Sequence, residues 1–449
     1  MTYRRVLLVA FGVAAVGLIA PVVSAHAQVP ANDTLKRAAS DSLRLGVLQD
    51  TAVMRDPRGR ELALLMEQSR LRQQNLTAER RPTLTVEGQA QYQSDVAQIP
   101  ITLPGGISPL TPPHDTYDAH LAAEQRLYDP SIGPHRAVED AQLAESEARL
   151  RAELYPLRQN VSDAFFSALQ AQSQIVELQL TITDLQAQER VAAARVREGT
   201  ALPSEEKSLR AEILRRRQSV TEAAANRRAA LAILADLTGK SYDSTTALNS
   251  ADLAVEVAHA RDSLSILRAR PEYEQFARSR ALLEQQERAR KAQDLPRVSA
   301  FGRAGYGRPG LNPLSTTFDS YWLAGVQLQW SPWTWGTGKR DREIIALQRQ
   351  IIAAEEQQFT ENLRRGVEQD LATIDRLETS VRDDDEIVAL RESILAETRA
   401  RFNEGVVTSA EYVDRQTDVL SARTSRALHR VELAQARARF LNTLGIETR

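Results

Sequence analysis

The chain has 449 residues, 57 Lys and Arg against 59 Asp and Glu, a net charge of −2 and no cysteine. Disulfides and lipidation on cysteine are therefore excluded, and no basic domain stands out to favour a nucleic-acid partner. A chain of this length has room for several ordinary domains, but an internal repeat points to a single elongated body.

Residues 1–27 read as a signal peptide. Arg4 and Arg5 supply the positive start, and 6–23 is apolar apart from Gly12, Gly17 and Pro21. Ala25-His26-Ala27 fits the small-x-small cleavage rule, so the mature chain is expected to begin near Gln28 and to be exported. No later segment has the roughly 18–20 apolar residues of a membrane helix.

The repeat is carried by punctuation residues. Gly199 and Gly239 recur as Gly405 and Gly445, a shift of 206. Pro57, Pro82, Gly88, Ala90 and Tyr92 recur as Pro271, Pro296, Gly302, Ala304 and Tyr306, a shift of 214. The expected organisation is a first repeat over 28–240, a linker over 241–260 and a second repeat over 261–449.

In the first repeat, 58–80 lacks proline and reads as a helix, which Pro82 ends by removing a donor and restricting its predecessor. Strands are expected near 83–93 and 117–128, separated by the Pro- and Gly-rich loop 94–116. Tyr117, Ala119, Leu121, Ala123 and Leu127 fall on one face of the second strand, with Asp118, His120, Glu124 and Arg126 on the other. After Gly133-Pro134, a run of strong helix formers continues to about Arg197. Its roughly 64 residues would span about 95 Å, and Pro156 predicts a kink in it. A partner helix over 204–237 would span about 50 Å, and the helix before the first strand about 35 Å.

The second repeat follows the same plan. It has a helix over 272–295, strands near 297–307 and 320–330, a long helix over 339–403 and a last helix over 409–444. Asn362 stands where the first repeat has Pro156. In the second strand, Trp322, Ala324, Val326, Leu328 and Trp330 alternate with Tyr321, Leu323, Gly325, Gln327 and Gln329. The last helix spaces Val413, Leu420, Ala427, Ala434 and Leu441 by sevens, a pattern that demands supercoiling.

Four strands per chain cannot sit in lipid as an open sheet, because the edge groups would lack partners. Closed barrels start at eight strands, so two, three or four copies would pool eight, twelve or sixteen. Trp330, Trp333 and Trp335, with Tyr128 in the first repeat, lie at strand ends where amphipathic rings favour a lipid–water boundary. Enzyme signals are absent. The six histidines are scattered without zinc-motif spacing, and neither Gly305-Tyr306-Gly307 nor Gly336-Thr337-Gly338 has the context of a phosphate loop. No catalytic, cofactor-binding or metal-ligating residue is expected.

At this point the chain resembles the TolC-type outer membrane factor family over essentially the whole mature sequence. The most specific stretch is Arg401-Phe402-Asn403-Glu404-Gly405-Val406-Val407-Thr408-Ser409, continuing to Asp418-Val419-Leu420. Phe440-Leu441-Asn442-Thr443-Leu444-Gly445 resembles the family's closing signature. The first repeat answers with Arg195-Val196-Arg197-Glu198-Gly199-Thr200-Ala201-Leu202-Pro203-Ser204. The resemblance implies a mixed α/β membrane protein. It would be a homotrimer with a 12-stranded outer membrane β-barrel, four strands per protomer, continued by a long α-helical periplasmic barrel. The turns Gly199, Thr200, Ala201, Leu202, Pro203 and Gly405, Val406, Val407, Thr408, Ser409 would be tips that dock a periplasmic membrane-fusion adaptor, itself joined to an inner-membrane pump or exporter. Glu198 and Glu404 are candidates for a periplasmic gate. The implied function is a passive exit channel of a tripartite efflux system in the outer membrane. Type I protein secretion is the rival within that class, and a periplasmic tethering coiled coil is the rival outside it.

Overall fold

The computed structural model describes residues 43–97, 111–243, 245–250, 252–262 and 269–447. The signal peptide expected at 1–27 lies outside the described residues. Proline and glycine set most boundaries. Helices α1 (Leu45–Arg55) and α2 (Gly59–Ala78) meet at Asp56-Pro57, and Pro82 separates α2 from strand β1 (Thr83–Tyr92). Strand β2 (Asp115–Tyr128) leads into α3 (Ile132–Leu154) and α4 (Leu157–Arg197). Tyr155 and Pro156 interrupt what would otherwise be one helix, because Pro156 has no N–H to bond back. Helix α5 (Pro203–Thr238) starts with proline at its first position and ends on left-handed Gly239, and α6 (Ala254–Asp262) follows.

Helix α7 (Pro271–Gln293), strands β3 (Arg297–Arg308) and β4 (Asp319–Gln329), α8 (Thr337–Asn403) and α9 (Ser409–Leu444) complete the chain. With Asn362 in place of a proline, α8 runs unbroken for 67 residues, about 100 Å. The turn from β4 into α8 uses Trp335 and Gly336, both at positive φ.

The strands form one antiparallel sheet in the order β1-β2-β3-β4. The helices beneath it keep that order: α2 packs on α3, α3 on α7 and α7 on α8. Farther from the sheet, α4 packs on α5, α8 on α9, and α4 on α9, so α5 and α8 are the flanks of a four-helix layer.

The main core lies where α1 and α6 meet these long helices. Leu48, Val161, Phe165, Leu234, Val257, Ile374, Phe440 and Leu444 are buried there. Neither α1 nor α6 stands out in the sequence pattern, and α6 falls largely in the expected linker. At 11 and 9 residues they are too short to persist alone and are held by this packing. Inside the core, Gln49 donates to Ser162 Oγ at 2.9 Å, keying α1 to α4.

Asp370 on α8 is buried, and burial pushes its carboxyl pKa above the usual range. Thr443 Oγ1 donates to it at 2.8 Å, and the exposed Arg439 guanidinium lies 3.3 Å away. A raised folded pKa means that ionisation costs stability at neutral pH, and that this cost disappears as pH falls through the folded value. Asp370→Asn is therefore expected to raise Tm at pH 7. Thermal unfolding against pH checks this, and the gap should close towards pH 4.

Candidate functional site: a two-faced sheet and paired helical tips

Cross-strand register decides what each face of the sheet presents. Val86, Leu121, Ala304 and Trp322 stand in one row, and Leu84, Ala123, Gly302 and Ala324 in the next. This face is apolar and bare: Val86 is 84% and Trp322 75% exposed. The opposite face carries Glu87, His120, Gly305 and Tyr321 in one row and Thr85, Ala122, Arg303 and Leu323 in another. Its polar groups are knitted together. Tyr321 OH donates to Asp118 at 2.5 Å, His120 Nδ1 lies 2.5 Å from the other Asp118 oxygen, and Glu87 is 3.4 Å from His120 Nε2. The outer edges of β1 and β4 have no strand partner among the described residues.

Aromatic side chains mark both ends of the apolar face. At the helical end, Tyr128, Trp330, Trp333 and Trp335 are all exposed. Trp330 Nε1 donates to the Asp294 carbonyl at 3.2 Å, and Trp333 and Trp335 pack edge to face at 5.8 Å. At the far end is a second group that the sequence pattern does not single out. Phe318 lies 6.0 Å from Tyr117 and 5.6 Å from Tyr306. The Arg308 guanidinium sits 5.6 Å from both Tyr117 and Phe318 and pairs with Asp115. Tyr117 and Tyr306 are strand residues, and Phe318 reaches them from a loop. Aromatics at strand ends were the available signal, but only folding brings the three together.

The tips lie at the opposite end of the long helices. At each, glycine takes a left-handed conformation that other residues adopt at a cost: φ is +73° at Gly199 and +78° at Gly405. Thr200 N–H donates to the Arg195 carbonyl and Val406 N–H to that of Arg401, both at 2.9 Å, closing the helix ends. Glu198 and Glu404 are the C-terminal caps, and both are exposed. The tips differ in how the next helix starts. Leu202 offers no side-chain cap before Pro203, whereas Thr408 Oγ1 accepts from Glu411 N–H at 3.4 Å.

Burial divides the expected docking residues. Leu202 and Val406 are 68% and 63% exposed, and Gly199, Thr200, Pro203, Gly405 and Thr408 are also exposed, with Ala201 half-buried. Val407 and Ser409 are buried at 8% and 4%. Val407 belongs to a small core with Leu185, Leu209, Ile213, Phe402 and Tyr412 that joins the two hairpins.

A polar latch reinforces that core. Tyr412 OH donates to Asp184 at 2.5 Å, and the Arg399 guanidinium pairs with the same carboxylate. Arg195 donates to the Phe402 carbonyl at 2.9 Å. Burial pushes the Tyr412 phenol up to about 12.

These features define a fold class, a four-stranded sheet set on long paired helices, and outer membrane channels of known structure share it. The solved structures that share it include CusC (TM-score 0.65, 17% identity, 90% of this chain and 92% of that one). They also include VceC of Vibrio cholerae (0.62, 13%, 89% and 96%) and the open state of the Neisseria gonorrhoeae MtrE outer membrane channel (0.61, 19%, 90% and 89%). No family profile matches the sequence, and no curated protein matches it.

Tyr412→Phe keeps the ring packing but removes a hydrogen bond to a charged group, and is expected to cost about 1.5–3 kcal/mol. Because the folded pKa is raised, wild-type stability should also fall as pH rises from about 10 towards 12. Denaturant titrations across that range check both effects, and the variant should lose this part of the alkaline slope.

Proposed function

We propose that this protein is a TolC-type outer membrane exit duct that conducts small molecules passively outward from a periplasmic adaptor and an inner-membrane pump. The observation that carries the proposal is the sheet, which is apolar and exposed on one face, polar on the other and open at both edges. Water gives such an apolar face no reason to stay bare, and lipid forbids the open edges. Pairing β4 of one copy with β1 of the next removes both problems at once. Three copies would pool twelve strands around a lumen lined by Glu87, Asp118, His120, Arg303 and Tyr321.

Two further observations support the membrane setting. Tyr117 and Tyr128 are 11 residues apart on β2, about 36 Å along the strand. Tilted by about 40°, that span covers about 27 Å, close to the roughly 25 Å apolar band of a membrane barrel. The flanks below the sheet also carry exposed apolar stripes, Leu64 and Leu71 on α2 against Ile344, Leu347 and Ile351 on α8. In this duct the exposed tip residues, led by Leu202 and Val406, meet the adaptor. The latch around Asp184 holds the hairpins together, and Glu198 and Glu404 line the narrow end. With no nucleotide-binding motif in the sequence, the partners supply the energy.

Purified mature protein in a planar bilayer is expected to give discrete, long-lived conductance steps from a particle of trimer mass. Combined Glu198→Gln and Glu404→Gln should raise the conductance of the closed state. A soluble monomer that does not insert would overturn the duct and favour a periplasmic tether.

A further inference from the structure

The flank helices α5 and α8 carry opposite charges on the faces they turn away from their own chain. On α5, Lys207, Arg210, Leu214 and Arg217 follow one another at three- and four-residue steps, with Arg228 on the same face. This face is turned by roughly 130° from the one buried through Leu209, Ile213, Ala223 and Ala230. All five side chains are exposed, and the four cations have no ion pair among the described residues. On α8, Asp383, Glu386, Leu390, Ile394 and Glu397 form a matching stripe opposite the buried Ile374, Leu377, Asp384 and Val388. Its three carboxylates are likewise exposed and have no ion pair among the described residues, although the neighbouring Asp384, Asp385 and Glu392 are all engaged by α9. Arg401 follows on this face, one turn before Gly405.

Leu214 and Leu390 lie at the centres of these stripes, 54% and 59% exposed. A row of unpaired arginines around an exposed leucine on one flank therefore has its complement, in charge and in apolar character, on the other flank of the same chain. The two flanks belong to different edges of the helical layer, so one chain cannot bring them together.

We infer that the occupant of the α5 face is the α8 face of a second copy, so that the half of the subunit seam nearer the tips is charge-paired. This rests on the ring assembly proposed above and specifies its chemistry. Near the sheet the seam is apolar, through Leu64 and Leu71 against Ile344, Leu347 and Ile351. Towards the tips it is basic against acidic. Exposed ion pairs weaken as salt rises, whereas apolar contacts do not. The tip half of the seam is therefore the part that loosens in high salt while the sheet half keeps the copies together. The arrangement is head to tail, because like faces repel.

Lys207 is the only lysine on α5, which makes the test specific. The full mature protein in detergent is treated with a water-soluble carbodiimide, which joins a carboxylate to an amine only when the two are in contact. The expected result is a covalent multimer whose digest links Lys207 to Glu397, the stripe carboxylate nearest the tips, with the linked peptide decreasing between about 0.05 M and about 0.5 M salt. Lys207→Arg should abolish the link without changing particle mass. The α5 triple variant Lys207→Glu, Arg210→Glu, Arg217→Glu should also abolish it. Adding Asp383→Lys, Glu386→Lys and Glu397→Lys should restore a link with the roles exchanged. An oligomer of unchanged mass in which Lys207 links to nothing on α8 would overturn the charged seam and leave the duct standing. A monomeric particle would overturn both.

Discussion

A strand whose edge faces hydrocarbon has no partner for its backbone N–H and C=O groups, and each unpaired group costs several kcal/mol there. In the proposed duct the four-stranded sheet meets that constraint at β1 and β4 while presenting Val86, Leu121, Trp322 and Val326 on a bare apolar face. Much of the rest of the molecule follows from it. The helices under the sheet repeat the strand order, so an edge-to-edge pairing that closes the strands also brings α2 beside α8. The same flank continues downward as α5 and α8. One geometric requirement in the membrane thus sets the neighbours of every long helix in the proposed assembly.

The ends of the body solve different problems. At the sheet, aromatic groups frame the apolar face on both sides, and Arg308 with Asp115 holds the far group in place. At the tips the difficulty is reversing two very long helices without fraying. Left-handed Gly199 and Gly405 close the helix ends, and the small core around Phe402 and Tyr412 ties the two hairpins together. Buried Val407 and Ser409 belong to that internal work, which leaves Leu202 and Val406 as the apolar groups free to meet a partner. The Asp184 latch adds a polar tie to this core through Tyr412 and Arg399.

Chemistry changes along the flanks in the same direction. Close to the sheet the exposed stripes are leucine and isoleucine, which associate in any salt. Towards the tips they are arginine and lysine on α5 and aspartate and glutamate on α8, whose attraction is screened. In the proposed assembly such a wall would be firm at the sheet and adjustable towards the tips. The difference rests on ordinary properties of burial and screening.

Most elements were legible in the sequence because their signals are local. Alternation along β2 and β4, the prolines at 82, 203 and 271, and the glycines at the tips each act through their own backbone or near neighbours. Pro156 breaks a helix that Asn362 leaves intact for the same reason. Helices α1 and α6 were not legible, because 11 and 9 residues of weak pattern become helical only against Phe165, Leu234 and Phe440 from distant parts of the chain. Nor was the meeting of Tyr117 with Tyr306 and Phe318, or of Asp184 with Arg399 and Tyr412, since Tyr117 and Asp184 are each about 190–230 residues from those partners and join them only when the sheet and hairpins form. The sequence by itself determined the periods, breaks and turns, which are matters of backbone sterics and side-chain spacing. Only the tertiary structure decided which tip residues are buried, which charges are already paired and which faces remain free, because burial and pairing depend on what the rest of the chain places alongside.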